Sequence, residues 1–426
     1  MPNKKAAASA PLPPAVPPDC LYVWQAGRLM GEMRRVGDQV AFCYTSQATQ
    51  PLSRSLPLQP RLNVGEPVSR FFSSLLPPGH SRARCAKALG CLPDDIITLL
   101  AHMGADAAGG IALLPTDTPP KIGTQAAIDQ HELHELLLQL SDLPMLAGVP
   151  RISQTLCGAR PKLGLIRQPD GRFALPLDGA HSTHVIKPDL APWQGAALTE
   201  VFCQQLASRV GVPASQAELV MLGDLPCSVI ARYDIENGTS IAAETFAQAL
   251  GCGDRPRESM GGPSLAACFG LIETFADDVR AEQQVLMDYV LFNALIGNAN
   301  ADSSLFVIIH ADNGTRLAPL HGALCAAAFP HLQQRLALRI GKAAELGALR
   351  SQDLKQLVAA TQLDMQDVAG RAQEMAQQLR QHSRTLADDF SHYPAGPTLT
   401  RTIIATIEQN STLLMQTLRN MRQTAA

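Results

Sequence analysis

The chain has 426 residues, 46% of them hydrophobic, which allows two or three domains or one large two-lobed protein with a sizeable core. Its formal net charge of −3 at pH 7 excludes a nucleic-acid or anionic-membrane surface spread over the whole chain. The ten cysteines form no C-x-x-C pair and no zinc spacing, so we expect reduced thiols in a cytoplasmic protein. No apolar run reaches the ~20 residues that cross a bilayer, so we expect no membrane association.

The amino-terminal part is predicted to begin with strands. Residues 20–48 read as strands with a turn at Ala26-Gly27. Residues 67–91 and 94–115 are expected to be helical and to end at glycines. This order predicts a small sheet followed by helices.

The rest of the chain predicts a second set of strands and then mainly helices. Residues 151–235 predict two strands around a Pro-Asp-Gly turn, a third strand, one helix and two further strands. Residues 240–297 are predicted to be mostly helical. The stretch 297–322, GNANADSSLFVIIHADNGTRLAPLHG, then gives a loop, a strand, a turn and a strand. At the end of the chain, the segments 353–381 and 402–421 carry apolar positions near a 3.6 period, which predicts helices.

The stretch 297–322 resembles the catalytic loop of the HipA-like serine/threonine kinases, the toxins of bacterial toxin–antitoxin pairs. In that family the loop reads G-N-x-D-x-H-x-K-N-F, and the second strand ends in P-x-Y-D. Asn300 stands at the position of the catalytic aspartate. Leu305 and Gly322 occupy the positions of the two expected metal ligands.

The resemblance extends to the segment that would hold a nucleotide. TLCGARPKLGL lies where the family has its phosphate loop, S-x-A-G-A-Q-x-K. The match assigns Cys157, Gly158, Ala159 and Lys162 to nucleotide binding, because small residues let backbone N–H groups approach phosphate oxygens. Pro161 removes one backbone donor from this loop. Thr155 aligns with the serine that is autophosphorylated in the family.

Four further residues complete the nucleotide-binding prediction. HSTHVIKPD resembles the family strand whose lysine contacts the ATP phosphates, and Lys187 is the match. Glu200 is the candidate carboxylate partner, since a buried lysine needs one. IARYDI matches the hinge that binds adenine, which includes Ala231 and Tyr233.

The catalytic positions argue against ordinary kinase turnover. Asparagine is neutral and cannot act as a base, and loss of a general base typically costs about 10²–10⁴ in rate. Neither Leu305 nor Gly322 offers a side-chain oxygen to Mg²⁺. The resemblance implies ATP as a ligand. Mg²⁺ is not expected, because both metal-ligand positions lack a side-chain oxygen. Asp302 and His321 are the residues that could replace the lost groups.

We therefore predict an α+β protein with a two-lobed, protein-kinase-like fold, an amino-terminal β-rich subdomain and a mostly helical C-lobe. The expected function is that of a HipA-like pseudokinase, which binds nucleotide, a HipB-like helix-turn-helix antitoxin or another HipA-like protein. DNA would be reached only through such a partner. The alternative is an active kinase toxin that phosphorylates a translation factor and arrests growth. The predicted segments are a disordered leader (1–19), the amino-terminal subdomain (20–117), a linker with a helix (118–150), the N-lobe (151–235) and the C-lobe (236–426).

Overall fold

The computed structural model describes residues 19–37, 39–120 and 123–423. Residues 1–18 of the predicted leader lie outside this part. The chain divides into two compact units. The first contains the described residues up to Leu52, with Leu56–Val185 and Asn237–Ser240; the second contains Ser53–Ser55, Ile186–Glu236 and the described residues from Ile241 onward. The predicted segment boundaries remain predictions.

The strands and helices of the described residues follow one another along the chain with short connections. The strands are β1 (Cys20–Gln25), β2 (Arg28–Val36), β3 (Gln39–Tyr44), β4 (Asp106–Ala107), β5 (Ile111–Leu114), β6 (Thr124–Ile128), β7 (Gln154–Thr155), β8 (Leu163–Arg167), β9 (Phe173–Leu177), β10 (His184–Pro188), β11 (Ala217–Leu222), β12 (Leu225–Ala231), β13 (Ile235–Glu236), β14 (Thr239–Ser240), β15 (Ala242–Thr245), β16 (Val307–Ala311) and β17 (Gly314–Leu317). The α-helices are α1 (Glu66–Ser74), α2 (Gly79–Leu89), α3 (Ile96–Met103), α4 (Gln130–Leu138), α5 (Ala196–Arg209), α6 (Phe246–Ala249), α7 (Leu265–Ile272), α8 (Val279–Ile296), α9 (Ser351–Val358), α10 (Met365–Asp389) and α11 (Gly396–Gln423).

The first unit is built around a sheet with strand order β3-β2-β1-β5-β4-β7. β1 and β2 form the antiparallel hairpin that the sequence predicts, and its turn at Ala26-Gly27 has positive φ at both residues. Helices α1 and α3 cover the sheet with apolar side chains. Phe42 of β3 packs against Phe72 of α1, with ring centroids 5.7 Å apart. This core fixes the position of β7, which leads directly into the predicted phosphate loop.

Two of the predicted helices are wrong in extent. The stretch 67–91 contains two helices, because the adjacent prolines 77 and 78 cannot continue a helix. In the stretch 94–115 only α3 is helical, and β4 and β5 follow it. Gly109 and Gly110 have φ of 82° and 67° and form the turn between these strands. The apolar residues of β5 pair with β1 instead, so tertiary pairing overrides the local helical pattern.

A second group of strands completes the first unit. β9 pairs antiparallel with both β6 and β8. β6 lies in the stretch that was predicted to be a linker, and its residues are largely exposed, which explains the weak sequence signal. The chain passes from the first unit into the second within β10. Lys187 therefore belongs to the second unit, whereas the predicted phosphate loop belongs to the first.

The second unit contains the β11–β12 hairpin, the three-stranded sheet β15-β16-β17 and most of the helices. Helix α8 is buried over much of its surface and ends at Gly297, which has φ +72°. A Cβ at Gly297 would lie 2.8 Å from Cγ2 of Thr406, so α11 leaves room only for glycine. Asn410 of α11 donates hydrogen bonds to the carbonyls of Ala294 and Leu295. These contacts fix the point where the predicted catalytic loop begins.

No helix in the described part of the chain is long and apolar enough to span a membrane. The long helices α10 and α11 are amphipathic and bury one face each against the second unit's core. Buried residues such as Leu379, Leu386, Ile403 and Ile407 form these faces. The predicted helical segment 402–421 lies within α11, whereas the segment 353–381 is divided between α9 and α10.

Candidate functional site

The best-formed part of the candidate site is a buried ion pair in the second unit. The Lys187 amine on β10 donates a 2.5 Å hydrogen bond to Oε1 of Glu200 on α5. The side chains are 16% and 2% exposed, respectively. Ser228 on β12 donates its hydroxyl to the other carboxylate oxygen of Glu200 at 2.8 Å. The predicted pairing of Lys187 with Glu200 is confirmed, and it fixes the lysine amine at the end of its strand.

An aromatic pair belongs to the same region. The rings of Tyr233 and His321 stack with centroids 4.7 Å apart and planes inclined by 34°. Burial, assisted by the charge of Lys187, lowers the pKa of His321 to about 4. Glu200 and Asp234 act in the opposite direction but more weakly. His321 is therefore neutral at pH 7 and does not place a second positive charge beside Lys187.

This burial predicts a pH dependence of stability. The unfolded state binds a proton to His321 at about pH 6.5, whereas the folded state binds it only near pH 4. Stability contributed by the neutral ring is complete above pH 6.5 and falls as the pH drops toward 4, by up to about 3 kcal/mol. We expect a His321→Gln variant to lose less stability than the wild type between pH 7 and pH 5 in urea titrations. Parallel pH profiles for the two proteins would contradict the assignment.

The predicted hinge follows β12. The Ala231 N–H donates to the carbonyl of Gln216, at the point where the strand ends. Arg232 and Asp234 form a bidentate ion pair at 2.9 and 2.7 Å, and both side chains are almost completely buried. Tyr233, between them, is turned toward His321. The buried pair thus holds the backbone on both sides of Tyr233. The adenine-binding role of this segment stays a prediction.

The catalytic-loop position is occupied by an amide that is held by an arginine. Nη1 of Arg257 donates to Oδ1 of Asn300 at 3.2 Å, and Nη2 donates to Oε1 of Gln333 at 3.0 Å. Asn298, which is buried, accepts from the Asn300 N–H and donates to Asn293. The neutral Asn300 is fixed in place and cannot accept a proton as a base. Arg257 was not singled out in the sequence, because nothing in its local pattern indicates a contact 43 residues away.

The two expected metal positions lie next to each other and are apolar. Gly322 has φ +67°, and a Cβ built on it would lie 3.0 Å from Cδ2 of Leu305. The leucine side chain therefore fills the space that an aspartate at position 322 would need. A hydrocarbon side chain and a glycine do not fit Mg²⁺, which prefers carboxylate and water oxygens. No group of three or more potential metal ligands occurs among the described residues.

Asp302 is the carboxylate that lies closest in sequence to Asn300. Its Oδ1 accepts from both the N–H and the hydroxyl of Ser304, at 2.9 and 2.6 Å. Burial raises the pKa of Asp302. The two hydrogen bonds from Ser304 and the charge of Arg257 act in the opposite direction. These hydrogen bonds hold the Asp302 carboxylate against Ser304, two residues further along the chain.

In the first unit, the predicted phosphate loop is closed by its lysine. The amine of Lys162 donates to the carbonyl of Cys157. Gly158 has φ +104°, and a Cβ there would lie 2.5 Å from Nζ of Lys162, so the loop requires glycine. The Ala159 carbonyl accepts a long hydrogen bond from Ser81. The structure therefore brings Cys157, Gly158 and Lys162 together, while their binding of phosphate stays a prediction.

Thr155, the hydroxyl residue at the start of this loop, is fully buried in β7. Its hydroxyl donates to the carbonyl of Leu75 at 2.6 Å. The neighbouring Gln154 binds the backbone of Gly164, and Asp106 accepts from both the N–H and the hydroxyl of Ser182. These buried polar contacts hold the residues at the start of the loop in place. A buried Thr155 hydroxyl is not accessible for modification in this conformation.

Comparison with known proteins gives consistent similarities. The HipA-like C-terminal domain family matches residues 154–384, and the HipA N-terminal domain family matches residues 21–114. The putative kinase Y4mE of Sinorhizobium fredii is 34% identical over 353 residues, which cover 77% of this chain and 82% of that protein. The serine/threonine-protein kinase toxin HipA of Shewanella oneidensis is 24% identical over 341 residues, covering 73% and 76%.

One solved structure is similar over nearly its whole length. It is the Shewanella oneidensis HipA chain in a complex of HipA, HipB and operator DNA. The TM-score is 0.81 at 20% identity, with 95% of this chain and 99% of that chain covered. This similarity confirms the predicted fold class: an α+β protein with a strand-rich amino-terminal region and a helical carboxyl-terminal region.

Proposed function

The chain belongs to the HipA-like toxin family, and on that premise we propose that it acts by binding, without ordinary kinase turnover. One observation carries the proposal: the two expected metal positions hold Leu305 and Gly322, which offer no side-chain oxygen, and a Cβ at position 322 would lie 3.0 Å from Cδ2 of Leu305. Asn300 is also held by Arg257 and offers no base. The Lys187–Glu200 pair, by contrast, is intact. The losses fall on the positions of the base and the metal ligands, whereas the lysine that the resemblance assigns to the phosphates is retained.

The proposed small ligand is ATP or a related nucleotide. Within the second unit, Lys187 would contact the phosphates and Tyr233 would lie beside the base. Nucleotide would then be held by protein groups alone.

The proposed macromolecular partner is a HipB-like helix-turn-helix protein or a second HipA-like protein. The Shewanella oneidensis HipA of the similar structure is assembled with HipB and operator DNA. This chain carries a net charge of −3, so DNA would be reached through the partner. A small helix-turn-helix gene next to the gene for this protein would supply the candidate to test in co-purification.

Two measurements on the purified full-length protein test the nucleotide proposal. The first is the melting temperature with millimolar ATP, with and without MgCl₂. The second is the transfer of phosphate from radiolabelled ATP to casein. A ligand at a hundred times its Kd stabilises by about 2.7 kcal/mol, which is a readily measured shift. We expect a shift that does not depend on MgCl₂, and no phosphate transfer. Absence of any shift would indicate an empty nucleotide site.

The second candidate function is an active serine/threonine kinase toxin. Asp302 favours it, because burial raises the pKa of this carboxyl toward the range of a general base. Ser304, however, already binds the oxygen that would accept the proton. This alternative predicts growth arrest on expression and weaker arrest for Asn300→Ala and Asp302→Asn. Phosphate transfer by the wild type that is lost in Lys187→Ala would establish it and reject the binding proposal.

A further inference from the structure

The second unit carries a groove whose lining includes neither Lys187 nor Glu200 and no residue of the catalytic loop, but does include Tyr233 of the predicted hinge. Its volume is about 350 Å³, and it runs between helix α8 and the strands β13 and β17. Apolar side chains line most of it, including Ile235, Ile241, Val285 and Pro213. Each of these side chains is partly or fully exposed, so the groove presents apolar surface to solvent.

Two carboxylates and one arginine, Arg316, line the groove, so its net charge is negative. Glu282 lies at its α8 wall, and Glu236 lies exposed at its rim. One oxygen of Glu282 accepts from the Leu317 N–H at 2.8 Å. Among the described residues, no lysine, arginine or histidine forms an ion pair with Glu282. Arg316 is near enough to favour its charge, but the guanidinium donates to Asn313 at 3.0 Å.

The environment of the Glu282 carboxylate favours the binding of a cation. Burial, with a contribution from Asp278, raises the pKa of Glu282, while the hydrogen bond from Leu317 and the charge of Arg316 lower it less. A half-buried carboxylate in an apolar wall is stabilised when an opposite charge approaches. A lysine or arginine side chain entering the groove would supply that charge.

The strand beside the groove is also open. β17 is the last strand of its sheet, and within the described part of the chain its one strand partner is β16. The Ala318 N–H donates to the Val307 carbonyl. Because backbone hydrogen-bonding groups alternate in direction along an antiparallel pair, the N–H and C=O groups of Thr315 and Leu317 point away from β16. Glu282 caps the Leu317 N–H, while the backbone groups of Thr315 face the open edge. An extended peptide would find backbone partners here.

We propose that this groove binds an extended segment of a partner protein, in which lysine or arginine alternates with apolar residues. The basic side chain would pair with Glu282 and Glu236, and the apolar side chains would pack on Ile235, Ile241 and Val285. The groove contains neither Lys187 nor Glu200, but it shares Tyr233 with the proposed nucleotide site. Its net negative charge selects against acidic segments of the same apolar pattern.

The test uses fluorescence anisotropy with the full-length protein and two labelled peptides. In one, arginine alternates with valine and leucine; in the other, glutamate replaces each arginine. Glu282→Gln retains the oxygen that accepts from Leu317 and removes only the charge. We expect it to weaken binding of the basic peptide by about tenfold. Glu273→Gln, an exposed site beyond the end of α7, is the matched control and should bind as the wild type.

A further readout locates the binding. Hydrogen exchange should slow at residues 314–317 and on α8 when the basic peptide is added. Equal binding of both peptides, or equal loss in Glu282→Gln and Glu273→Gln, would overturn the proposal. It would also be overturned if Glu282→Gln abolished a concentration-dependent self-association of the wild type, since the occupant would then be a second copy of the chain.

Discussion

Replacing Lys187 with alanine is expected to abolish the ATP-induced rise in melting temperature and to destabilise the protein by about 3–5 kcal/mol. The destabilisation follows from the carboxylate of Glu200, which is 2% exposed and loses the charge that balances it. The loss of ATP binding follows from the position of the amine, because it is the cation that the family resemblance assigns to the phosphates. Urea titration measures the first effect, and thermal unfolding with ATP measures the second.

A matched variant separates these two effects. Replacing a buried ion pair with apolar residues of similar size is often neutral for stability. Lys187→Met combined with Glu200→Leu and Ser228→Ala removes the pair together with the hydroxyl that donates to Glu200. We expect this triple variant to unfold near the wild-type urea concentration and still to show no ATP shift. If ATP still raises the melting temperature of Lys187→Ala, the nucleotide binds at a site that does not include Lys187.

The second large effect is expected from restoring the catalytic residues. Gly322→Asp alone should destabilise the protein, because its Cβ would meet the Leu305 side chain at 3.0 Å and its φ of +67° is unfavourable for a side chain. The conformational part alone costs about 1–3 kcal/mol. Adding Leu305→Asn removes the collision and should recover part of that stability. The two positions are therefore coupled, and neither change should create a metal site by itself.

Catalysis should require a third change. Asn300→Asp supplies the missing base, and Nη1 of Arg257 is already directed at the oxygen of this side chain. We expect the combined variant to transfer phosphate to casein at least about 10²-fold above the wild-type background. The measurable intermediate result is a MgCl₂-dependent thermal shift in Leu305→Asn/Gly322→Asp that the wild type lacks. If Gly322→Asp is as stable as the wild type, or if wild-type activity equals that of the triple variant, the closed metal site is the wrong explanation.

Much of the fold could be predicted because its signals are local. The alternating strands of β1 to β3, the apolar period of α10 and α11, and the hairpin of β16 and β17 each follow from a few neighbouring residues. The errors lie where tertiary contacts decide. β5 has a helical apolar pattern but pairs with β1, and β6 is too exposed to show a clear alternation.

The candidate site divides in the same way. The sequence by itself determined the family and predicted the pairing of Lys187 with Glu200, and it shows that Asn300, Leu305 and Gly322 occupy the motif positions of the base and the metal ligands, since these depend on which side chains occupy motif positions. The tertiary structure alone decided that Leu305 fills the space beside Gly322, that Arg257 holds Asn300, and that the Thr155 hydroxyl is buried. It also decided that Glu282 lies in an apolar groove. These are contacts between residues distant along the chain, and packing creates them without leaving a local pattern.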